Sequence, residues 1–454
     1  MGTCARSLRA VDGQGRTARR RPGRVLTAVA LAPVALLAAA CTSSGGGAGG
    51  SGGGGTGANP YGFTAAAEGQ GPNGSFYDIP TSVPAGDQPG QLLYFEPQPA
   101  DESQLPNTSD WQVAYVSTDA QGVPDVVTGT IIVPTAAWTG AGPRPVVDYA
   151  VGTQGLGPQC APSRQFNEAG VEYEDPNINA AVAKGYAVAV TDYQWSGPTD
   201  TPPGTYVVGL SEGHAVLDIA KVGPQIPGSG LSYDAPVVVW GYSQGGGAAT
   251  WAGQLWSSYA PKVDLVGVAA GGVPGNLIDV GASLNGGAFA AFLGDAIIGF
   301  HDAYPNLVFS SLINSAGQAA LQQLATNCLV TQLTDFAFQN ISSDTVGNLT
   351  YDQLVAEPGW QAALLANSPG QPGAVIPVPV FMYRADLDEV IPTSVEDQVY
   401  ANLCADGTVI QSNTYPGDHA LTDFEAQSDA LTFIGNLLAG KPPINDCTSN
   451  ATSL

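Results

Sequence analysis

The chain has 454 residues, with 14 Lys+Arg against 39 Asp+Glu and a formal net charge of −25. Hydrophobic residues make up 44% of it and charged residues 12%, which supplies a large core and excludes a mostly disordered chain. The acidity excludes a nucleic-acid binder, since little positive charge is left to neutralise phosphates, and no apolar run reaches the ~20 residues of a spanning helix.

The basic residues are concentrated at the start. Arg6, Arg9, Arg16, Arg19, Arg20, Arg21 and Arg24 precede an apolar run from Val25 to Ala40, which ends in Leu37-Ala38-Ala39-Ala40-Cys41. A basic start, a short apolar stretch and small residues at its end predict an export signal over residues 1–40. The stretch resembles a lipobox, in which Cys41 would be lipidated and become the new N-terminus, although Ala38 stands where lipoboxes favour Leu. Ordinary cleavage after Ala38-x-Ala40 is the alternative. The Gly/Ser tract from Ser43 to Gly57 favours lipidation, because a flexible tether is useful directly after an anchor. The twin Arg19-Arg20 matches little else of a folded-export motif. Without residues 1–40, seven basic and 38 acidic residues remain, a net charge of −31.

Besides Cys4 and Cys41, the chain holds Cys160, Cys328, Cys404 and Cys447. Four cysteines in an exported chain predict two disulfides, with three connectivities open. No close Cys-x-x-Cys pair and no adjacent His favours metal ligation instead, and no metal is expected.

After a tether and arm over residues 41–76, a catalytic domain is expected over 77–454. Strands are predicted at Val146–Val151, Ala187–Asp192, Val237–Trp240, Leu265–Ala269, Val378–Tyr383 and Thr408–Thr414. Helices are predicted around Ala180–Ala183, Val216–Val222, Gln244–Tyr259 and Leu421–Leu438. Near-continuous apolar strands alternating with helices indicate an α/β fold with a mainly parallel sheet. Its site is expected at the carboxyl ends of the strands. Between about 275 and 373 strand signals nearly vanish. Phe289, Phe292, Ile297, Ile298, Phe300, Leu307, Val308 and Phe309 there predict a helical cap or lid insertion that packs its own core and lines an apolar site.

Gly-x-Ser-x-Gly occurs three times, around Ser51, Ser211 and Ser243. The strained strand-to-helix turn of a nucleophile elbow needs a strand before the serine and a helix after it. Ser51 lies in the tether, and Ser211 follows Pro202-Pro203-Gly204 with little strand signal. Ser243 follows Val237-Val238-Val239-Trp240 and precedes Gly245-Gly246-Gly247-Ala248-Ala249, so Ser243 is the predicted nucleophile.

A serine hydroxyl needs a general base. Of the three histidines, His214 precedes Ser243, against the chain order of this fold, and His301 falls in the insertion. His419, in Tyr415-Pro416-Gly417-Asp418-His419 before the last helix, is the predicted base. Asp386, Asp388 and Glu389 follow the preceding strand, and spacing does not separate them.

These motifs resemble the secretory lipase family of α/β-hydrolases, the actinobacterial and fungal lipases related to Candida lipase A. The resemblance runs from about Pro145 to His419. It rests on Gly152-Thr153-Gln154-Gly155-Leu156 leading to Cys160-Ala161-Pro162-Ser163, Gly185-Tyr186-Ala187, Thr191-Asp192-Tyr193, Ser211-Glu212-Gly213, Gly241-Tyr242-Ser243-Gln244-Gly245-Gly246 and Asp388-Glu389-Val390-Ile391-Pro392. The resemblance implies Asp388 as the triad acid, and an oxyanion hole made by the backbone amide of Gln244 and a group at Thr153. Many relatives carry His before the Gly-Thr pair, where this chain has Val151. It further implies disulfides Cys160–Cys328 and Cys404–Cys447, and a packing role for Ser211-Glu212-Gly213.

The expected protein is thus an exported, surface-anchored lipase or carboxylesterase, monomeric, acting on acyl esters without a cofactor. The alternatives are another secreted serine hydrolase (cutinase-like, an acyltransferase or an aminopeptidase) and an idle surface-binding protein on a hydrolase scaffold.

Overall fold

The computed structural model describes residues 58–69, 71, 74–80, 82–99, 105–167, 172–194, 204–448 and 453–454. The export signal, Cys41 and Ser51 lie outside them.

Ten strands form one sheet among the described residues. In chain order they are β1 (Ala67–Glu68), β2 (Leu92–Pro97), β3 (Thr108–Thr118), β4 (Pro124–Pro134), β5 (Val146–Ala150), β6 (Ala187–Thr191), β7 (Val237–Tyr242), β8 (Leu265–Gly271), β9 (Val380–Ala385) and β10 (Ile410–Tyr415). In space they run β1-β2-β3-β4-β6-β5-β7-β8-β9-β10. The pairs from β6 to β10 are parallel, and β2/β3, β3/β4 and β4/β6 are antiparallel. β5, β6 and β7 are buried along their whole length, as their Val-rich sequences require of central strands covered on both faces. Trp240, fully buried, sets its ring edge against Tyr149 at 5.2 Å and donates to the Tyr383 hydroxyl at 3.0 Å.

The chain leaves β5 for β6 on one side and returns to β7 on the other. The order therefore reverses between β5 and β7, which opens a crevice above their carboxyl ends. The loops after these two strands carry Gly152-Thr153-Gln154 and Ser243.

The parallel strands and the helix Gln244–Tyr259 fall where the sequence puts them. Several boundaries differ. The helix expected over Val216–Val222 spans Gly209–Ile219, so Ser211-Glu212-Gly213 is helical. β9 begins after Pro379, which cannot donate to a ladder. The last helical segment divides at Ala426 into His419–Glu425 and Gln427–Leu438. The antiparallel hairpin β3/β4 has no counterpart among the expected strands. Its turn is tied by Asp119, whose Oδ1 accepts from the amides of Gln121 (2.8 Å) and Val123 (2.7 Å).

Between β8 and β9 the chain is helical: Leu277–Leu284, Ala290–Ala303, Ser315–Leu324, Leu329–Phe336, Tyr351–Val355 and Trp360–Ala366. Asn276 and Asn314 cap the first and third of these, and Thr350 forms a capping box with Gln353. The insertion has its own core, in which Val280, Phe292, Leu293, Leu324 and Phe336 pack with Leu156 from the loop after β5 and Val390 and Ile391 from the loop after β9. Phe300 and Leu307 pack apart from it, with Trp360 and Leu364. Val308, grouped with them on sequence, is 44% exposed.

Candidate active site

Ser243 lies between β7 and the helix Gln244–Tyr259, with φ 59° and ψ −122°. A side-chain-bearing residue holds such a conformation only where its surroundings over-determine it. Glycines make the turn possible. A Cβ on Gly245 would strike the carbonyl of Ala150, and one on Gly246 the carbonyl of Gly271, so the helix start nests against β5 and β8. The strained turn raises the hydroxyl above the sheet, with the helix amides beside it.

His419 opens the short helix after β10, whose N-cap is Asp418 accepting from Leu421 N at 2.9 Å. Its Nε2 lies 2.9 Å from Ser243 Oγ and its Nδ1 2.7 Å from Asp388 Oδ2. The Asp388 side chain is sealed from solvent, and its Oδ1 accepts the amides of Val390 (2.9 Å) and Ile391 (2.7 Å). With the carboxylate accepting, Nδ1 carries the ring proton and Nε2 is left to accept from the serine hydroxyl. The three acids that sequence spacing leaves together are separated here. Glu389 accepts the backbone amide of His419 at 3.1 Å, and Asp386, about half exposed, faces Arg384.

The other candidates stand elsewhere. His214 contacts the carbonyl of Thr118 through Nδ1 (3.1 Å) and packs on Tyr259, and burial pulls its pKa down. His301 packs on Phe309. Ser211 is buried in its helix and donates to the carbonyl of Val208 at 3.0 Å. Among the described residues no group of three or more His, Cys, Asp or Glu is placed to hold a metal ion.

The loop after β5 is held from two sides. Glu174 Oε2 accepts the amide of Gly152 at 2.7 Å, and its Oε1 accepts from the Tyr149 hydroxyl at 3.1 Å. Gln154 donates to Glu172 at 2.8 Å, while Leu329 N donates to the carbonyl of Gln154 at 2.9 Å. Cys160 and Cys328 are disulfide-bonded, joining this loop to the helical insertion, and Cys404 is bonded to Cys447. Burial pushes the carboxyls of Glu172 and Glu174 well up, with Asp175 adding to the effect at Glu172 and Asp423 and Glu172 adding to it at Glu174. Asp423, on the His419 helix, is pushed to about 7 by burial, against the opposing pull of Asn177 and His419. Nothing in the string Glu172-Tyr173-Glu174-Asp175 distinguishes buried acids from solvated ones, and sequence reasoning missed this network.

An apolar cavity is lined by Ser243 and Gln244 together with residues of the insertion. Leu277, Val280, Phe292, Ala296, Ile297, Phe309, Trp360, Val390 and Ile391 are among its walls, as are Tyr206 and Val207. Of the aromatic group read from the sequence, Phe292, Ile297 and Phe309 line this cavity, while Phe300 serves the insertion's packing.

A family model described as "Secretory lipase" matches residues 162–446. The chain belongs to the secretory lipase family. Lipase 6 of Candida albicans is 28% identical over 403 residues, covering 82% of each chain. The secreted triacylglycerol lipase LIP3 of Malassezia restricta is 28% identical over 349 residues, covering 74% of this chain and 72% of its own. Among solved structures, Candida antarctica lipase A in its closed state superposes with a TM-score of 0.70 at 25% identity, over 83% of this chain and 91% of that one. Secretory lipases are carboxylic-ester hydrolases, and this member carries the α/β-hydrolase fold with a mainly parallel sheet.

Proposed function

We propose that this secretory lipase hydrolyses fatty-acyl esters at Ser243, with His419 as general base and Asp388 as its orienting acid. The observation that carries the reading is His419 bridging Asp388 and Ser243, a serine in the wall of an apolar cavity. Ser243 Oγ attacks the ester carbonyl as its proton passes to Nε2, and the imidazolium then gives that proton to the leaving alcohol. Asp388 holds the proton-bearing Nδ1 and stabilises the imidazolium. Water, deprotonated by the same nitrogen, releases the acid from the acyl-enzyme. The developing oxyanion is received by the backbone amide of Gln244 and by Thr153. The acyl chain lies along the cavity under the helical segment over about 275–373, which acts as a cap. The cavity wall is almost wholly apolar, which favours an ester of a fatty acid over a peptide.

The chain is further proposed to leave the cell under the signal of residues 1–40 and to remain at the surface as a monomer, lipidated at Cys41 and tethered by the glycine-rich segment. Mass spectrometry of the mature N-terminus tests this: a diacylglycerol-modified Cys41 is expected, and an unmodified N-terminus refutes anchoring.

A fluorophosphonate probe tests the chemistry. Stoichiometric labelling of the wild type and none of Ser243→Ala is expected. An adduct that survives that substitution overturns the assignment. Hydrolysis of p-nitrophenyl esters from acetyl to palmitoyl then tests the substrate class, and activity confined to acetyl esters refutes it.

A further inference from the structure

The loop leading into the helix Gly209–Ile219 carries a tyrosine that the sequence did not mark. Tyr206 is buried, lines the same cavity as Ser243 and Gln244, and has its hydroxyl 2.7 Å from Thr153 Oγ1. Its backbone is fixed closely. The helix Ala290–Ala303 passes over it at Gly299, where a Cβ would meet the Tyr206 carbonyl oxygen at 2.7 Å. The next residue, Val207, has φ 50°, a left-handed conformation unfavourable for a β-branched side chain. It is retained because the Val207 amide donates to Glu212 Oε1 at 3.0 Å. The same oxygen accepts from Gln244 Nε2 at 2.7 Å, so one buried carboxyl ties the Tyr206 turn to the residue after the nucleophile.

The two hydroxyls hold two protons, and the bond between them uses one. A phenol is the stronger donor and an aliphatic hydroxyl the better acceptor, so the tyrosine proton occupies the shared bond. Burial pushes the Tyr206 pKa up, which keeps that proton in place across the working pH range. The Thr153 proton is then left over. Gly152, which precedes it, abuts the carbonyl of Tyr242, one residue before the nucleophile.

We propose that Tyr206 is a positioning residue of the oxyanion site, whose hydroxyl donates to Thr153 Oγ1 and so commits the Thr153 O–H to the developing oxyanion. The rotor is set before substrate arrives, and the donor needs no reorganisation in the transition state. The inference rests on Ser243 being the nucleophile and Thr153 an oxyanion donor, and goes beyond both by assigning a role to Tyr206.

The test is steady-state hydrolysis of p-nitrophenyl butyrate by Tyr206→Phe, Thr153→Val, Thr153→Ser and the Tyr206→Phe/Thr153→Val double variant. Phe keeps the ring against the cavity and removes only the hydroxyl. Thr153→Val should lower kcat by roughly 100-fold and Tyr206→Phe by roughly 10-fold, each with KM little changed. The double variant should be no worse than Thr153→Val alone, and Thr153→Ser should stay near wild type. An unchanged kcat in Tyr206→Phe overturns the proposal. So does a Tyr206→Phe defect that exceeds that of Thr153→Val or adds fully to it. End-point fluorophosphonate labelling of each variant separates this outcome from failure of the underlying reading. Complete labelling at Ser243 with unaltered kcat refutes only the Tyr206 role, whereas labelling that ignores Ser243 refutes the active site itself.

Discussion

Glu212 gives the sharpest test of how this molecule handles its buried acids. The residue is 1% exposed and lies in a helix packed against the helix that follows Ser243. Burial pushes its pKa from 4.5 up to about 8, although the Gln244 and Val207 donors pull the other way. Below about pH 4.5 the group is protonated whether the chain is folded or not, and pH has no hold on it. Between 4.5 and about 8 the folded state keeps a proton that the unfolded state has lost. Stability therefore falls as pH rises through that window, by about 1.4 kcal/mol per pH unit from this group alone.

Glu212→Gln isolates that contribution, because the amide copies a protonated acid and its carbonyl can accept from the same two donors. Self-repulsion of a strongly acidic chain also weakens the fold as pH rises, but it acts almost equally on both proteins. Urea unfolding of wild type and Glu212→Gln at pH 5, 6 and 7, compared at equal m, reads the difference. Over these two pH units the variant should gain roughly 3 kcal/mol on the wild type, within a factor of two. A difference that stays constant with pH, or that grows in favour of the wild type, refutes the claim that the folded protein keeps Glu212 protonated.

Asp388→Asn should lower kcat on butyryl esters by about 10⁴-fold by removing the acceptor that fixes the imidazole tautomer. Asp386→Asn should remain within about twofold, and equal losses would show that the acids are misassigned. Ala296→Trp, in the cavity wall, should raise KM for octanoyl esters at least about tenfold while sparing acetyl esters; a uniform loss across chain lengths would place the acyl chain elsewhere. Cys160→Ser/Cys328→Ser opens a span of 168 residues and Cys404→Ser/Cys447→Ser one of 43. Loop entropy limits the losses to about 5 and about 4 kcal/mol, so the first pair should lower the urea midpoint more. The opposite ranking would mean that strain or residual structure outweighs chain entropy.

What the sequence made legible followed from burial. Central parallel strands are covered on both faces, and short β-branched runs such as Val237-Val238-Val239-Trp240 fit that burial. The hairpin β3/β4 was hidden because its residues serve two surfaces. Thr108–Thr118 mixes Asp110, Gln112 and Ser117 with apolar neighbours, and all three are buried. Gly129 interrupts β4 where a Cβ would meet the carbonyl of Val190 and the side chain of Ile219, so its absence of side chain reflects close packing, not a turn. At two of the boundaries that moved, a cap or a proline outweighed the local signal. Asp418 caps a new helix at His419, and Pro379 delays β9.

The site divides along the same line. The turn proposed as a nucleophile elbow is written locally, because strand, glycines and helix adjoin Ser243 in the chain. The choice among Asp386, Asp388 and Glu389 is not local, since one-residue steps decide which carboxyl meets a ring 31 residues further on. Geometry gives all three distinct partners: Arg384 for the half-exposed Asp386, the imidazole for Asp388 and the His419 amide for Glu389. Two neighbouring acids thus grip one histidine, one by its ring and one by its backbone. The division makes a functional distinction that composition cannot express. Removing the ring contact alters the proton's position, whereas removing the backbone contact loosens the helix start that presents it. Glu389→Gln should therefore cost far less kcat than Asp388→Asn, because a neutral carbonyl still accepts an amide but cannot stabilise an imidazolium.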